Sequence, residues 1–211
     1  MARHRLSRRL AGLLLTLLAL AGAGTLAAAF VLLPAGPPRP SAAQIPDGYD
    51  LDRLGRLLSR ATPVAVRIPG IGVDATIIPT GIAANGSIAV PPLESPELAG
   101  WYRYGPSPGE AGSAVLVGHV DSRATGPGVF FELGRVRKGD TVEVDRADGS
   151  TATFRVDGVR LVAKDAFPAE EVHRVATAAL LRVITCGGRF DRAQQSYLDN
   201  IIVYATLVGV R

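Results

Sequence analysis

The chain has 211 residues, 47% of them apolar and 20% charged, which excludes a disordered polymer and allows one domain of roughly 150 residues with an appendage. Its formal net charge of +4 is an N-terminal matter: Arg3, Arg5, Arg8, Arg9 and Arg39 precede the first acidic residue, Asp47, leaving 18 basic residues to face 19 acidic ones from there on. A nucleic-acid-binding domain carries its positive charge on the folded part, and aromatics at 6% are too sparse for base stacking, so no nucleic-acid partner is expected.

Residues 1–33 read as a cytoplasmic basic arm and a signal anchor. The stretch from Leu10 to Leu33 is 24 residues without a charge, and at about 1.5 Å per residue it can span a hydrocarbon core of about 30 Å. Arginines ahead of such a run keep the N-terminus cytoplasmic and send the remainder outward. Ala27-Ala28-Ala29 resembles a small-residue cleavage site, but the run exceeds the 7–15 residues of a signal-peptide core. The expectation is an uncleaved single-pass helix in the cell membrane with the folded domain outside the cell. Residues 34–62 read as a Pro-rich linker and a short helix. Pro34 to Pro40 holds four prolines and is expected to be extended and without a core. Leu51, Leu54, Leu57 and Leu58 fall at helical spacing and predict a helix over 47–60.

From Pro63 to Arg211 the texture changes. Short β-branched runs alternate with Gly/Pro/Asp breaks, and strands are predicted over 64–68, 73–78, 87–90, 114–119, 141–145, 151–162, 181–186 and 201–208. Asp148-Gly149 between two such runs is a hairpin signal. Helical turns are predicted near 129–136 and over 168–175. Many short strands without regular strand–helix alternation predict a mainly β fold, a closed barrel or a sandwich. Two runs, Ala114–Val117 and Leu180–Ile184, are nearly continuous in apolar residues, as central strands covered on both faces are. Each ends in a chemically capable residue, His119 after the first and Cys186 after the second. Were the two strands neighbours running the same way, both side chains would emerge at one rim.

An exported chain that used thiols for stability would carry an even number, yet Cys186 is alone. A cysteine near a histidine is a minimal kit for acyl transfer. A free thiol of pKa about 8.5 is only a few per cent thiolate at neutral pH, and an imidazole can take its proton, then protonate a leaving amine. A buried, inert cysteine remains open as an alternative. His4 lies in the basic arm, and His173 lies beside Glu170 and Glu171, where solvated polarity accounts for it. No pair of ligands stands at zinc spacing, and no phosphate loop or dinucleotide fingerprint occurs, so neither a metal nor a cofactor is expected.

Gly118-His119-Val120-Asp121-Ser122, followed by Gly126–Leu133, resembles the histidine segment of the sortases. Val183-Ile-Thr-Cys-Gly-Gly-Arg-Phe-Asp191, with Tyr197-Leu-Asp-Asn-Ile-Ile-Val-Tyr-Ala205, resembles their cysteine segment and closing strand. The similarity covers roughly residues 63–208 and looks closest to the class E/F-like enzymes of high-GC Gram-positive bacteria. It implies an eight-stranded sortase-like β-barrel with short helices, preceded by a transmembrane helix. It also implies a membrane-bound cysteine transpeptidase. Cys186 would attack the Thr carbonyl of a Leu-Pro-x-Thr-Gly-type sorting signal on a surface protein, and an amine of a peptidoglycan precursor or cross-bridge would resolve the thioester. His119 would be the general acid/base.

In these enzymes an arginine about thirteen residues after the cysteine helps hold substrate and oxyanion; here Leu198, Asp199 and Asn200 stand in that region. Arg192 is the first candidate for the third role and Asn200 the next, with Arg189 also on the intervening loop. Thr185 is a candidate for lining the substrate pocket. Asp121 either orients His119 or forms a turn. The other readings are an exported thiol protease or thioesterase using the same residues, and a non-catalytic, membrane-tethered β module.

Overall fold

Among the described residues, alternation of branched apolar residues with polar ones resolves into ten strands. They are β1 (Pro63–Ile68), β2 (Val73–Thr80), β3 (Ala99–Tyr102), β4 (Gly112–Gly118), β5 (Asp121–Ser122), β6 (Gly126–Pro127), β7 (Thr141–Arg146), β8 (Thr151–Ala163), β9 (Ala179–Asp191) and β10 (Ser196–Val210). The computed structural model describes residues 36–41, 44 and 56–211, so the expected anchor over 1–33 and most of the expected helix over 47–60 lie outside the described residues. Among the described residues no helix is long and apolar enough to cross a membrane.

Eight strands close a barrel in the order β1-β2-β3-β4-β9-β10-β8-β7, with β7 pairing back onto β1, while β5 and β6 form a separate ribbon. Closure leaves the sheet without an edge. Two of the pairings, β2 with β3 and β4 with β9, are parallel. Period-two alternation sorts each strand's residues between two apolar clusters. Ala114 and Leu116 of β4, Leu181 and Val183 of β9, and Ile201 and Val203 of β10 point into the barrel and belong to its core. Val115 and Val117, Ile184, and Ile202 and Tyr204 occupy the opposite face of the same strands, where Ile88, Tyr102 and Phe167 pack against them. Both faces are covered, which accounts for the near-continuous apolar runs in the sequence.

The sequence expectations need several corrections. Residues 87–90 form no strand; only an isolated bridge joins Ile82 to Ile88, because Pro91 and Pro92 follow at once and supply no ladder donors. The eighth barrel strand is instead β3, whose Ala-Gly-Trp-Tyr is too short to show a period. Its Gly100 lies so close to β2 that an added Cβ would stand 2.7 Å from Thr80 Cγ2. The helical turn near 129–136 is a single 3-10 turn at Leu133–Arg135, and the one over 168–175 is a four-residue helix, α1 (Ala169–Val172). Residues 56–60 are not helical; the Leu58 amide donates to the Gly109 carbonyl at 2.9 Å.

The described part of the linker is more tightly held than its composition suggests. Gln44 is buried, and its Nε2 donates to the Gly134 carbonyl at 3.2 Å and to the Val136 carbonyl. The Pro38 carbonyl rests on Gly134 where a Cβ would otherwise stand. The Asp148-Gly149 hairpin forms as expected between β7 and β8, with the Asp148 Oδ1 accepting the Ser150 amide at 3.0 Å.

Candidate active site

Parallel pairing of β4 with β9 runs from Gly112↔Ala179 to Val117↔Ile184. One step further along both strands, the Thr185 hydroxyl donates to the Gly118 carbonyl at 2.8 Å. The next residue on each chain is His119, just past the end of β4, and Cys186, still within β9, so residues 67 positions apart in sequence come to the same level of the sheet. Antiparallel pairing then sets Asn200 of β10 directly opposite Cys186. Directly opposed residues share a face of the sheet. Cys186 and Asn200 therefore lie on the outer face, continuing the row of Ile184 and Ile202. His119, Cys186 and Asn200 are all partly exposed, whereas Val117, Ile184 and Ile202 behind them are buried.

Glycines shape both halves of this arrangement. A Cβ on Gly118 would fall 2.5 Å from Val129 Cγ1 and 2.6 Å from Phe130 Cδ2, and one on Gly128 would fall 2.6 Å from the His119 carbonyl oxygen. Two bare backbones thus let the segment 128–130 lie against the back of His119. There the Phe130 amide donates to the His119 carbonyl at 3.0 Å. The imidazole is held from the other side, with Nε2 and the Pro91 carbonyl oxygen 2.7 Å apart. A carbonyl only accepts, so Nε2 carries the hydrogen and Nδ1 is the lone-pair nitrogen of the neutral ring. After the cysteine, Gly188 has φ +76°, and its missing Cβ leaves room for the Asp199 carboxylate. The register between β9 and β10 shifts at this point, as a bulge requires.

The remaining sequence candidates fall elsewhere. Arg192 is exposed in the turn that joins β9 to β10. At about 3.3 Å per strand residue it sits roughly 15–20 Å along the hairpin from Cys186, beyond the reach of its side chain. Arg189 is exposed nearer by, and its backbone amide donates to Asp199 at 3.3 Å. Thr185 is 3% exposed and offers little surface to a substrate; its hydroxyl joins the two central strands. His173 packs edge-on to Tyr102 at 5.7 Å between ring centroids, and burial lowers its pKa below the usual imidazole value.

Tyr197 is a residue that sequence reasoning passed over. Its hydroxyl donates to Asp121 Oδ2 at 2.5 Å, across 76 residues of sequence, and its ring meets Phe190 edge-on at 5.0 Å. Burial pushes its phenol well above the usual range, helped by the hydrogen bond to Asp121 and by the charges of Asp121 and Cys186. The proton therefore stays on Tyr197. Nothing local in the sequence marks a tyrosine for a partner so distant.

The arrangement has the parts for acyl transfer: a thiol, a ring nitrogen with a free lone pair on the neighbouring strand, and an amide across the ladder that can donate to a developing oxyanion. A family model described as a sortase domain matches residues 66–208. Among solved structures, the chain is similar to the complex of Streptococcus agalactiae sortase C1 and MTSET, at 20% identity and a TM-score of 0.52, covering 69% of this chain and 67% of that one. Sortase A of Listeria monocytogenes matches at 16% identity and a TM-score of 0.52, covering 72% and 90%. A lid mutant of sortase A from Corynebacterium diphtheriae matches at 18% identity and a TM-score of 0.53, covering 72% and 73%. No curated protein sequence matches the chain.

Proposed function

Because the chain belongs to the sortase family of cysteine transpeptidases that process sorting signals, we propose that it is a membrane-anchored enzyme joining surface proteins to a cell-wall amine. Cys186 is the nucleophile and His119 the acid/base. The sulfur bonds to the Thr carbonyl carbon of a Leu-Pro-x-Thr-Gly-like signal, and the thiol proton passes through the imidazole to the departing Gly amine as the C–N bond breaks. An amine of the peptidoglycan precursor or cross-bridge then attacks the thioester. A new C–N bond forms, the C–S bond breaks, and the proton returns to sulfur by the same ring. The anchor over residues 1–33 holds the barrel outside the membrane, in the manner expected of a class E/F-like enzyme.

The observation that carries this reading is the register: the parallel pairing of β4 with β9 runs to Val117↔Ile184, His119 and Cys186 follow two residues later on each chain, and Asn200 lies across the ladder from the cysteine. The same register favours Asn200 over Arg192 as the donor to the oxyanion. Losing one such donor costs about 10²–10³ in turnover. A fluorogenic sorting-signal peptide with an added amine should therefore be converted to the aminolysis product by the wild type. Asn200→Ala should lose about 100-fold in kcat, and Arg192→Ala less than threefold. The reverse ranking would move the oxyanion role to the loop. Hydrolysis unaffected by any amine would make the protein a thiol protease instead.

A further inference from the structure

Two side-chain hydrogen bonds cross the seam between the histidine segment and the β9–β10 pair. One is the Thr185 hydroxyl to the Gly118 carbonyl, buried, one residue before each reacting side chain. The other is the Tyr197 hydroxyl to Asp121, two residues beyond His119 and three before Asn200. They flank the site along the chain, the first one residue before each reacting side chain and the second just after His119. The β5–β6 ribbon that holds Asp121 stands outside the barrel, paired only within itself as Asp121↔Pro127 and Ser122↔Gly126. Backbone bonds from Gly128 to Val120 at 2.8 Å and from Phe130 to His119 at 3.0 Å close its base, and the Tyr197 hydroxyl ties it to the cysteine hairpin through a bond to a carboxylate, the charge-assisted kind, roughly twice as strong as a neutral one.

We infer that the Tyr197–Asp121 hydrogen bond is a positioning clasp that fixes the loop after His119 against the cysteine strand and so sets the imidazole's distance from the Cys186 sulfur. This deepens the transpeptidase reading and rests on it. Tyr197 is not a catalytic residue here, since its hydroxyl is given to Asp121 and not to substrate. The pair also answers the question left open for Asp121. Its carboxylate acts on the histidine through the loop, with Tyr197 as the partner that a turn-forming aspartate would lack. Small misplacements of a reacting group can cost as much as 100-fold in rate, so a clasp of this kind is felt in kcat while substrate affinity stays put.

The test uses Tyr197→Phe, Asp121→Ala, their double variant and Asp121→Asn, with enzyme concentrations set by titrating folded protein. Tyr197→Phe and Asp121→Ala should each lower kcat about tenfold with KM within twofold. The double variant should be no worse than either, as two halves of one interaction require. Asp121→Asn keeps an acceptor oxygen and should recover activity to within about threefold of wild type. A second arm needs no peptide: at pH 7 the alkylation of Cys186 by iodoacetamide should slow several-fold in Tyr197→Phe and Asp121→Ala, in the same direction as in His119→Ala. Losses that fall in KM, losses that multiply in the double variant, or Asp121→Asn as poor as Asp121→Ala would overturn the clasp. So would single variants within twofold of wild type or unchanged alkylation. If no sorting-signal peptide is turned over by the wild type, the transpeptidase reading fails by itself, and the alkylation arm decides the clasp.

Discussion

The inner and outer faces of the three strands β4, β9 and β10 are built from alternate residues of the same sequence, yet they are held to different standards. Inside the barrel, Leu116, Leu181, Val183, Ile201 and Val203 are wholly buried among apolar neighbours, with nothing polar to satisfy. On the outer face the apolar floor of Val117, Ile184 and Ile202 runs out after one more residue per strand, into the partly exposed row of His119, Cys186 and Asn200. The inner face stabilises the barrel through the hydrophobic effect. In the proposed site the outer face uses the rigidity so gained to place His119, Cys186 and Asn200 close to one another, since sites built on strands are held more accurately than sites on loops.

Substitutions on the two faces should therefore separate activity from stability. The largest effect belongs to the outer row. Cys186→Ala should lower peptide turnover by more than about 1,000-fold, with a thermal midpoint within about 3 °C of wild type. A partly exposed side chain leaves no cavity behind it. Leu181→Ala on the inner face of the same strand should behave oppositely. It removes a fully buried side chain and should cost about 2–5 kcal/mol of stability, while turnover per folded molecule stays within about twofold. Equal losses of both properties at both sites would mean that the two faces are not independent.

The smallest effect lies farthest from the site, between β1 and β7. Asp145 receives Arg67 Nη2 at 2.7 Å and the Thr151 hydroxyl at 2.7 Å. Chiefly through the Arg67 hydrogen bond, and next through Thr151, its carboxyl is held down at about 2, from an ordinary 3.8. A carboxyl lowered on folding adds stability above its unfolded pKa, and that gain disappears as the pH falls through the folded value. The pair is exposed enough for solvent to screen it. Asp145→Asn should thus cost about 1 kcal/mol or less at pH 7, without touching turnover. The gap between the two proteins, followed by thermal denaturation, should shrink below pH 4 and close near pH 2. A gap that persists in acid would assign the effect to packing.

Much of this was readable before the fold. The central strands announced themselves by unbroken apolar runs, and His119 and Cys186 by their places at the ends of those runs, each beside glycine. Many short strands with turn residues between them left a barrel or a sandwich open, and the sortase resemblance implied the barrel. What stayed hidden depended on neighbours distant in sequence. Strand β3 is four residues shaped by close approach to Thr80 and Val117, which no local period encodes. The run 87–90 has strand-like residues, but its prolines deny it a ladder. Spacing alone could not rank Arg192 against Asn200 for the proposed third role, because the two differ in hairpin position and that difference shows only in the β9–β10 register. Gln44 reads as part of a loose linker until the Gly134 and Val136 carbonyls are seen to need a donor.

The most direct test of the account is to catch the enzyme with its substrate attached. Wild-type protein incubated with a sorting-signal peptide and no amine, then digested and mapped by mass spectrometry, should carry the N-terminal peptide fragment as a thioester on Cys186. The fragment beginning with Gly should be released in equal amount, and the adduct should vanish once an amine is supplied. Peptide cleavage with Cys186 unmodified, or undiminished in Cys186→Ala, would contradict it.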